Sequence, residues 1–173
     1  KRTQLSQHFL REQRLASSLV GQSPISGADL VVEIGPGRGA LTRDLPTRCG
    51  RLIAVELEGY FAKVLDAEFE KNSGVEVAHE DFLRFDLPRS QYKVFGNIPF
   101  DKTHKIVQCL VNSPVRPDDV YLVVRREDAE RISGHPFAPE SRTLLLLKPW
   151  WQIEIVRQLR RSDFDPKPKV DSV

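Results

Sequence analysis

The sequence has no methionine in 173 residues, position 1 included, and we expect a processed or truncated chain. Cysteine is scarce. Cys49 and Cys109 stand in unrelated contexts without metal-ligand spacing. That excludes a cysteine-held metal and reads as two buried thiols of a cytosolic protein rather than a disulfide. No apolar run approaches the roughly 18 residues that span a bilayer, and no secretory leader opens the chain. The expectation is a soluble cytoplasmic protein without a membrane partner. Internal repeats and low-complexity tracts are absent, which excludes repeat architectures. No Gly-Lys-Ser/Thr ends the one glycine-rich loop, so a Walker-type phosphate site is excluded. No His/Cys cluster offers a metal or a covalent nucleophile.

What is present suits one globular domain: 173 residues, 40% hydrophobic, with a net charge of +2. The near-balance of 26 basic and 24 acidic residues hides an uneven distribution. Arg157, Arg160, Arg161, Lys167 and Lys169 crowd one end; Lys1, Arg2, Arg11 and Arg14 crowd the other. Such patches favour a polyanion, although a solvated surface produces them too.

Hydrophobic spacing predicts helices over 12–20, 40–48, 59–71, 103–112 and 126–133. It predicts strands over 30–34, 51–55, 75–78, 92–96 and 120–124, the last continuous and β-branched as in a fully buried strand. Residues 134–141 read as a loop, 143–147 as helix or strand with helix preferred, and the alternation of Ile153, Ile155 and Leu159 as a late strand over 152–159. Alternating strands and helices make an α/β protein with a doubly wound, mostly parallel sheet. Ligands of such sheets bind beyond the carboxyl ends of the strands, at the topological switch point. Four clusters, at 33–39, 56, 81 and 97–100, follow strands at that edge.

Gly35, Gly37 and Gly39 let the backbone turn tightly and approach a ligand, but their spacing departs from the G-x-G-x-x-G fingerprint. Glu56, about 20 residues on, suits acceptance from ribose hydroxyls; a solvated strand-end carboxylate reads the same way. Asp81 can accept from an adenine amino group beside the backbone of Phe82, or can cap a turn. Loop and acids describe an adenosine-containing ligand without separating NAD from S-adenosylmethionine.

Asn97-Ile98-Pro99-Phe100 separates them. Pro99 removes a backbone donor and pushes Ile98 toward an extended conformation, leaving carbonyls free to accept. Asn-x-Pro is also ordinary turn chemistry. Yet hydride transfer has no standard need for this tetrad, whereas amino methylation does. The lone pair of adenine N6 is delocalised into the ring, and acceptors at Asn97 Oδ1 and the Ile98 carbonyl would hold both N–H groups while Phe100 stacks on the base. Positioning for in-line attack would then supply much of the rate.

Gln7-His8-Phe9-Leu10, Glu33-Ile34-Gly35-Pro36-Gly37-Arg38-Gly39, Val55-Glu56, Glu80-Asp81-Phe82, Asn97-Ile98-Pro99-Phe100 and the run from Phe164 to Ser172 occur in one family's order and spacing. Over nearly its whole length the chain resembles the erythromycin-resistance (Erm) 23S rRNA adenine N6-methyltransferases, within the KsgA/Dim1/Erm superfamily. Ile98 is closer to the Erm branch; the small-subunit branch usually has Leu there. The resemblance implies a Rossmann-like class I methyltransferase fold that uses S-adenosylmethionine, releases S-adenosylhomocysteine and needs no metal. It implies that residues 1–173 are the catalytic domain, ending before a last strand and a small helical C-terminal domain. Gln7, His8 and Phe9 would border the methionine end of the cofactor; Glu33, Gly35, Gly37 and Gly39 would wrap it. Glu56 with Leu57 would take the ribose, and Asp81 with Phe82 the adenine. Asn97 to Phe100 would be catalytic, Asn97 also touching cofactor. Phe100 and Phe164 would stack on the target base; from the residues alone, Phe164 reads as core. Lys167 and Lys169 would lie on RNA phosphates. The implied partner is 23S rRNA before full ribosome assembly, the implied protein a monomer, and the implied outcome resistance to macrolides, lincosamides and streptogramin B. A small-subunit 16S/18S dimethyltransferase and a non-catalytic nucleic-acid-binding relative are the alternatives. His8 departs from the pattern, where Asn is usual.

Overall fold

The computed structural model describes residues 8–134, 147 and 149–173. A two-residue strand, β1 (Phe9–Leu10), precedes α1 (Gln13–Gln22). Then follow β2 (Leu30–Ile34), β3 (Arg51–Glu56), α2 (Gly59–Phe69), β4 (Val75–His79), β5 (Lys93–Asn97), α3 (Thr103–Asn112), β6 (Val120–Val123), α4 (Arg126–Ser133) and a second short strand, β7 (Phe164–Asp165). Strands β4-β3-β2-β5-β6, in that spatial order, form a parallel sheet; β1 and β7 pair antiparallel outside it. The order reverses between β2 and β5, where Ile34 lies opposite Gly96. The switch point is therefore the gap between the Gly35 loop and Asn97.

Side chains that alternate between two buried faces explain why the central segments hold as strands. Val31, Leu52 and Phe95 face Ala16 and Val20 of α1 together with Leu41 and Leu45. Val32, Ile34, Ile53, Val55 and Val94 face the opposite way, against Ile106 and Leu110 of α3. Each such side chain contributes about 1.5–3 kcal/mol by leaving water. Both sheet faces are thus covered, as a parallel sheet requires. α4 ends at Gly134, whose φ of 67° is the left-handed cap that glycine adopts without steric cost. No helix among the described residues is long and apolar enough to cross a membrane. Cys49 and Cys109 are free thiols.

Three expectations are corrected. Residues 40–48 are not a helix but a chain of turns, with one 3₁₀ turn at Leu45–Thr47. Arg43 and Leu45 donate four residues back, but Asp44, Thr47 and Arg48 only three. Pro46 has no N–H to give the Thr42 carbonyl, and the helical ladder breaks there. Residues 152–159 are not a strand: the stretch pairs only at Leu159, whose N–H donates to Ser172 O at 2.9 Å. The rest of it and β6 line a groove of about 490 Å³. For the same reason β6 is an edge strand among the described residues, half-buried along most of its length rather than fully buried. Its far end is met from the other side, where Val124 and Val173 exchange two backbone hydrogen bonds at 3.0 Å. The loop expected over 134–141 and the helix expected over 143–147 lie almost wholly outside the described residues.

Candidate active site

At the carboxyl edge of the sheet the ends of β2, β3 and β5 open into a cleft of about 150 Å³. Its wall brings together His8, Phe9, Glu33, Gly35, Gly37, Glu56, Leu57, Asp81, Phe82, Asn97, Ile98 and Pro99. These come from five separate stretches of the sequence. Gly39, Phe100, Phe164, Lys167 and Lys169 do not line it. Gln7 lies outside the described residues.

The glycine loop is held in a shape only glycine allows. Gly37 has φ 55°, and a Cβ there would stand 2.6 Å from the Phe9 ring. Gly35, at φ 63°, has nothing within 4 Å of where its Cβ would be, so the loop backbone faces open space on the cleft side. Glu56 fixes the loop from below. Its Oε2 accepts the Gly37 N–H at 2.7 Å and its Oε1 the Glu58 N–H at 2.8 Å. One carboxylate thus ties the loop after β2 to the start of α2, with lone pairs left for a ligand. Burial raises the Glu56 carboxyl above its usual range, against the pull of those two N–H groups. Asp81 does cap a turn, accepting the Leu83 N–H at 3.0 Å through Oδ1, which leaves Oδ2 for other donors.

Asn97 closes the other side of the cleft. Its Nδ2 donates to the His8 carbonyl at 2.7 Å, so Oδ1 is the acceptor presented beside the Ile98 backbone. His8 in turn donates from Nδ1 to Pro166 O at 2.8 Å and lies 5.5 Å from the Phe100 ring, tilted 33°. Neither link is visible in local sequence pattern, because each partner is distant along the chain. β1 and β7 supply the frame: Leu10 pairs with Phe164, and Arg38 bridges Asp165 at 2.9 Å while covering the Phe9 ring at 4.6 Å. Phe164 packs wholly in the core with Leu10 and Val20. It would have to leave that core to meet a base. Lys167 and Lys169 are exposed next to it.

Glu33 is the buried exception. Among the described residues neither carboxyl oxygen has a partner within hydrogen-bond geometry, nor has the Thr42 hydroxyl nearby. Burial pushes the Glu33 carboxyl up to about 8; the Thr42 hydroxyl opposes the shift and the Glu56 charge adds to it. The folded value exceeds the 4.5 of a free carboxyl, so the native state holds the proton more tightly. Its stabilisation is complete below about pH 4.5 and is lost as pH rises toward 8, at roughly 1 kcal/mol per pH unit. Glu33→Gln should therefore gain melting temperature relative to the parent as pH goes from 5 to 8. Parallel calorimetric Tm profiles for the two proteins would show that Glu33 does not titrate this way.

Residues 1–173 match the family model described as "Ribosomal RNA adenine dimethylase". An "rRNA adenine N-6-methyltransferase" of Bacillus licheniformis is 32% identical over 166 residues, covering 96% of this chain and 58% of the relative. A "Probable ribosomal RNA small subunit methyltransferase A" of Methanopyrus kandleri is 35% identical over 172 residues, covering 99% and 61%. Among solved structures, the 23S rRNA methyltransferase ErmE superposes with a TM-score of 0.84 at 29% identity, over 95% of this chain and 66% of that one. The chain spans about three fifths of the length of these curated relatives.

Proposed function

The chain belongs to the ribosomal RNA adenine dimethylase family, and from that premise we propose that it methylates N6 of a specific adenine in 23S rRNA. The observation that carries this is the Asn97 amide, turned by the His8 carbonyl so that its oxygen and the Ile98 backbone face the same cleft as the glycine loop. The cleft fits S-adenosylmethionine: the cradle at Gly35 is open where any Cβ would intrude, and acidic groups lie at the ends of β3 and β4. When bound, that cofactor supplies a methyl group on a positively charged sulfur. Glu56 and Leu57 would hold its ribose, Asp81 and Phe82 its adenine, and His8, Phe9, Glu33 and the glycine loop its methionine end. Asn97 Oδ1 and the Ile98 carbonyl would accept the two N–H groups of the target amine, orienting the nitrogen lone pair. No proton acceptor need stand in the site before transfer, because the amine sheds its proton after it has become cationic.

Residues 1–173 act as the catalytic domain, and Lys167 and Lys169 meet RNA phosphates. A base cannot be sandwiched by a side chain inside a duplex, so the target adenine is unstacked or extruded. Phe100→Ala should raise KM for RNA roughly 5- to 150-fold, since stacking is worth about 1–3 kcal/mol per base; an unchanged kcat/KM would remove the stacking role. The outcome in the cell is protection of the ribosome from macrolides, lincosamides and streptogramin B. The 35% identity to a small-subunit enzyme favours 16S rRNA as the second reading. Transfer of tritium from labelled S-adenosylmethionine to protein-free 23S and 16S rRNA, with primer extension to locate the adenine, tests both. Label confined to 16S rRNA would overturn the first.

A further inference from the structure

Phe100 carries the stacking role above, yet the residue is only 6% exposed. Among the described residues, an aromatic ring and a cation lie over or beside it: the His8 ring at 5.5 Å and the Arg125 guanidinium, whose carbon lies 5.8 Å from the ring centroid. They are held very differently. His8 is anchored by its bond to Pro166 O and, through its carbonyl, by Asn97. Arg125 directly precedes α4. Its Nε is buried without a hydrogen-bond partner among the described residues, and Asp128 Oδ2 stands at 3.9 Å, the limit of an ion pair. Burial outweighs the Arg125 attraction at Asp128, whose carboxyl is raised rather than lowered. A half-exposed cation resting on an aromatic face by a contact of this length is weakly retained. The backbone beneath it is not: Val124 bonds to Val173, and Arg126 N–H donates to Asp171 O at 2.9 Å. Among the described residues the side chain, by contrast, is held only by its two long contacts, to Asp128 and Phe100.

We propose that Arg125 is a substrate-positioning residue: it caps Phe100 in the RNA-free protein, swings aside when the adenine enters, and then pairs with a phosphate of that extruded nucleotide. The planar guanidinium suits this exchange, since it stacks on a ring in one position and binds phosphate bidentately in the other. The buried donor on Nε gains a partner in the second state. The inference rests on the stacking reading of Phe100.

The test uses a fluorescein-labelled RNA hairpin with one unpaired loop adenine, and the same hairpin with 2-aminopurine at that position, titrated across a salt series. Arg125→Gln should weaken binding about ten-fold and lower the slope of log Kd against log salt by about 0.7, the value for one phosphate on a single strand. Arg125→Lys should keep the slope while recovering only part of the affinity, because a point charge replaces the fork. A purely structural arginine would leave the slope untouched, and that result in Arg125→Gln overturns the cap. Should Arg125→Gln melt early, Arg125→Lys carries the test: full parental affinity there would overturn bidentate pairing. Quenching of 2-aminopurine distinguishes the two levels. If it survives in Phe100→Ala, the stacking reading fails and the cap with it. If it is lost there while Arg125→Gln keeps the parental slope, only the cap fails.

Discussion

Asn97→Ala should lower the maximal rate of methyl transfer to RNA by about 10²–10³-fold, the range for loss of one preorganised polar contact at a reacting group. The effect has two parts. The first is the acceptor: without Oδ1, one N–H of the target amine loses its partner, and the nitrogen is no longer held with its lone pair along the line of transfer. The second is the frame, because the His8 carbonyl loses the donor that meets it at 2.7 Å. Asn97→Asp separates them. It keeps an acceptor but cannot donate to His8, so it should fall between the parent and Asn97→Ala. The loss should appear in kcat at saturating RNA, measured as initial rates of tritium transfer. A kcat for Asn97→Ala within a few-fold of the parent would mean that the amine is held by other groups.

Glu56→Ala should weaken S-adenosylmethionine binding by roughly 100-fold in calorimetry, about 2.7 kcal/mol. Hydrogen bonds to a charged group contribute about 1.5–3 kcal/mol each. Glu56 makes two to backbone N–H groups, at 2.7 and 2.8 Å, before any ligand arrives. Their loss frees the Gly37 turn and the start of α2 at once, and removes the ribose acceptor as well. Glu56→Gln keeps one oxygen but presents an NH₂ to the other N–H, so only one of the two bonds survives. It should bind more weakly than the parent and more tightly than the alanine variant. A change below about three-fold for Glu56→Ala, well under the energy of one such bond, would show that neither the loop nor the ribose depends on this carboxylate.

The strands were legible because each is a run of alternating or continuous apolar residues whose burial is decided locally. Residues 30–34 and the helix 103–112 match their observed bounds for that reason. Residues 40–48 misled because apolar spacing says nothing of the hydrogen bond that Pro46 cannot make. Residues 152–159 misled because alternation describes a strand's faces but not whether a neighbour comes within bonding distance. Glu56, Asp81 and Asn97 could be picked out as chemistry-bearing residues at strand ends. Their hidden partners could not. The Gly37 N–H on Glu56 and the His8 carbonyl under Asn97 are meetings across turns of the sheet and across chain ends. Arg125 carries no motif at all and became visible only through the ring it covers.

From the chain alone came a doubly wound, mostly parallel sheet, polar clusters placed at its carboxyl edge, and, through the order of the motifs, the resemblance to a family. The sheet and the clusters follow from periodicity and residue type, the resemblance from motif order, and all of these are written along the chain. Packing alone set which way the Asn97 amide faces, that Glu56 accepts from the Gly37 loop, that Phe164 lies in the core and that Arg125 sits over the Phe100 ring. Each of these depends on a distance between residues remote in sequence. Such distances are set by how the layers pack, and packing is a property of the whole chain.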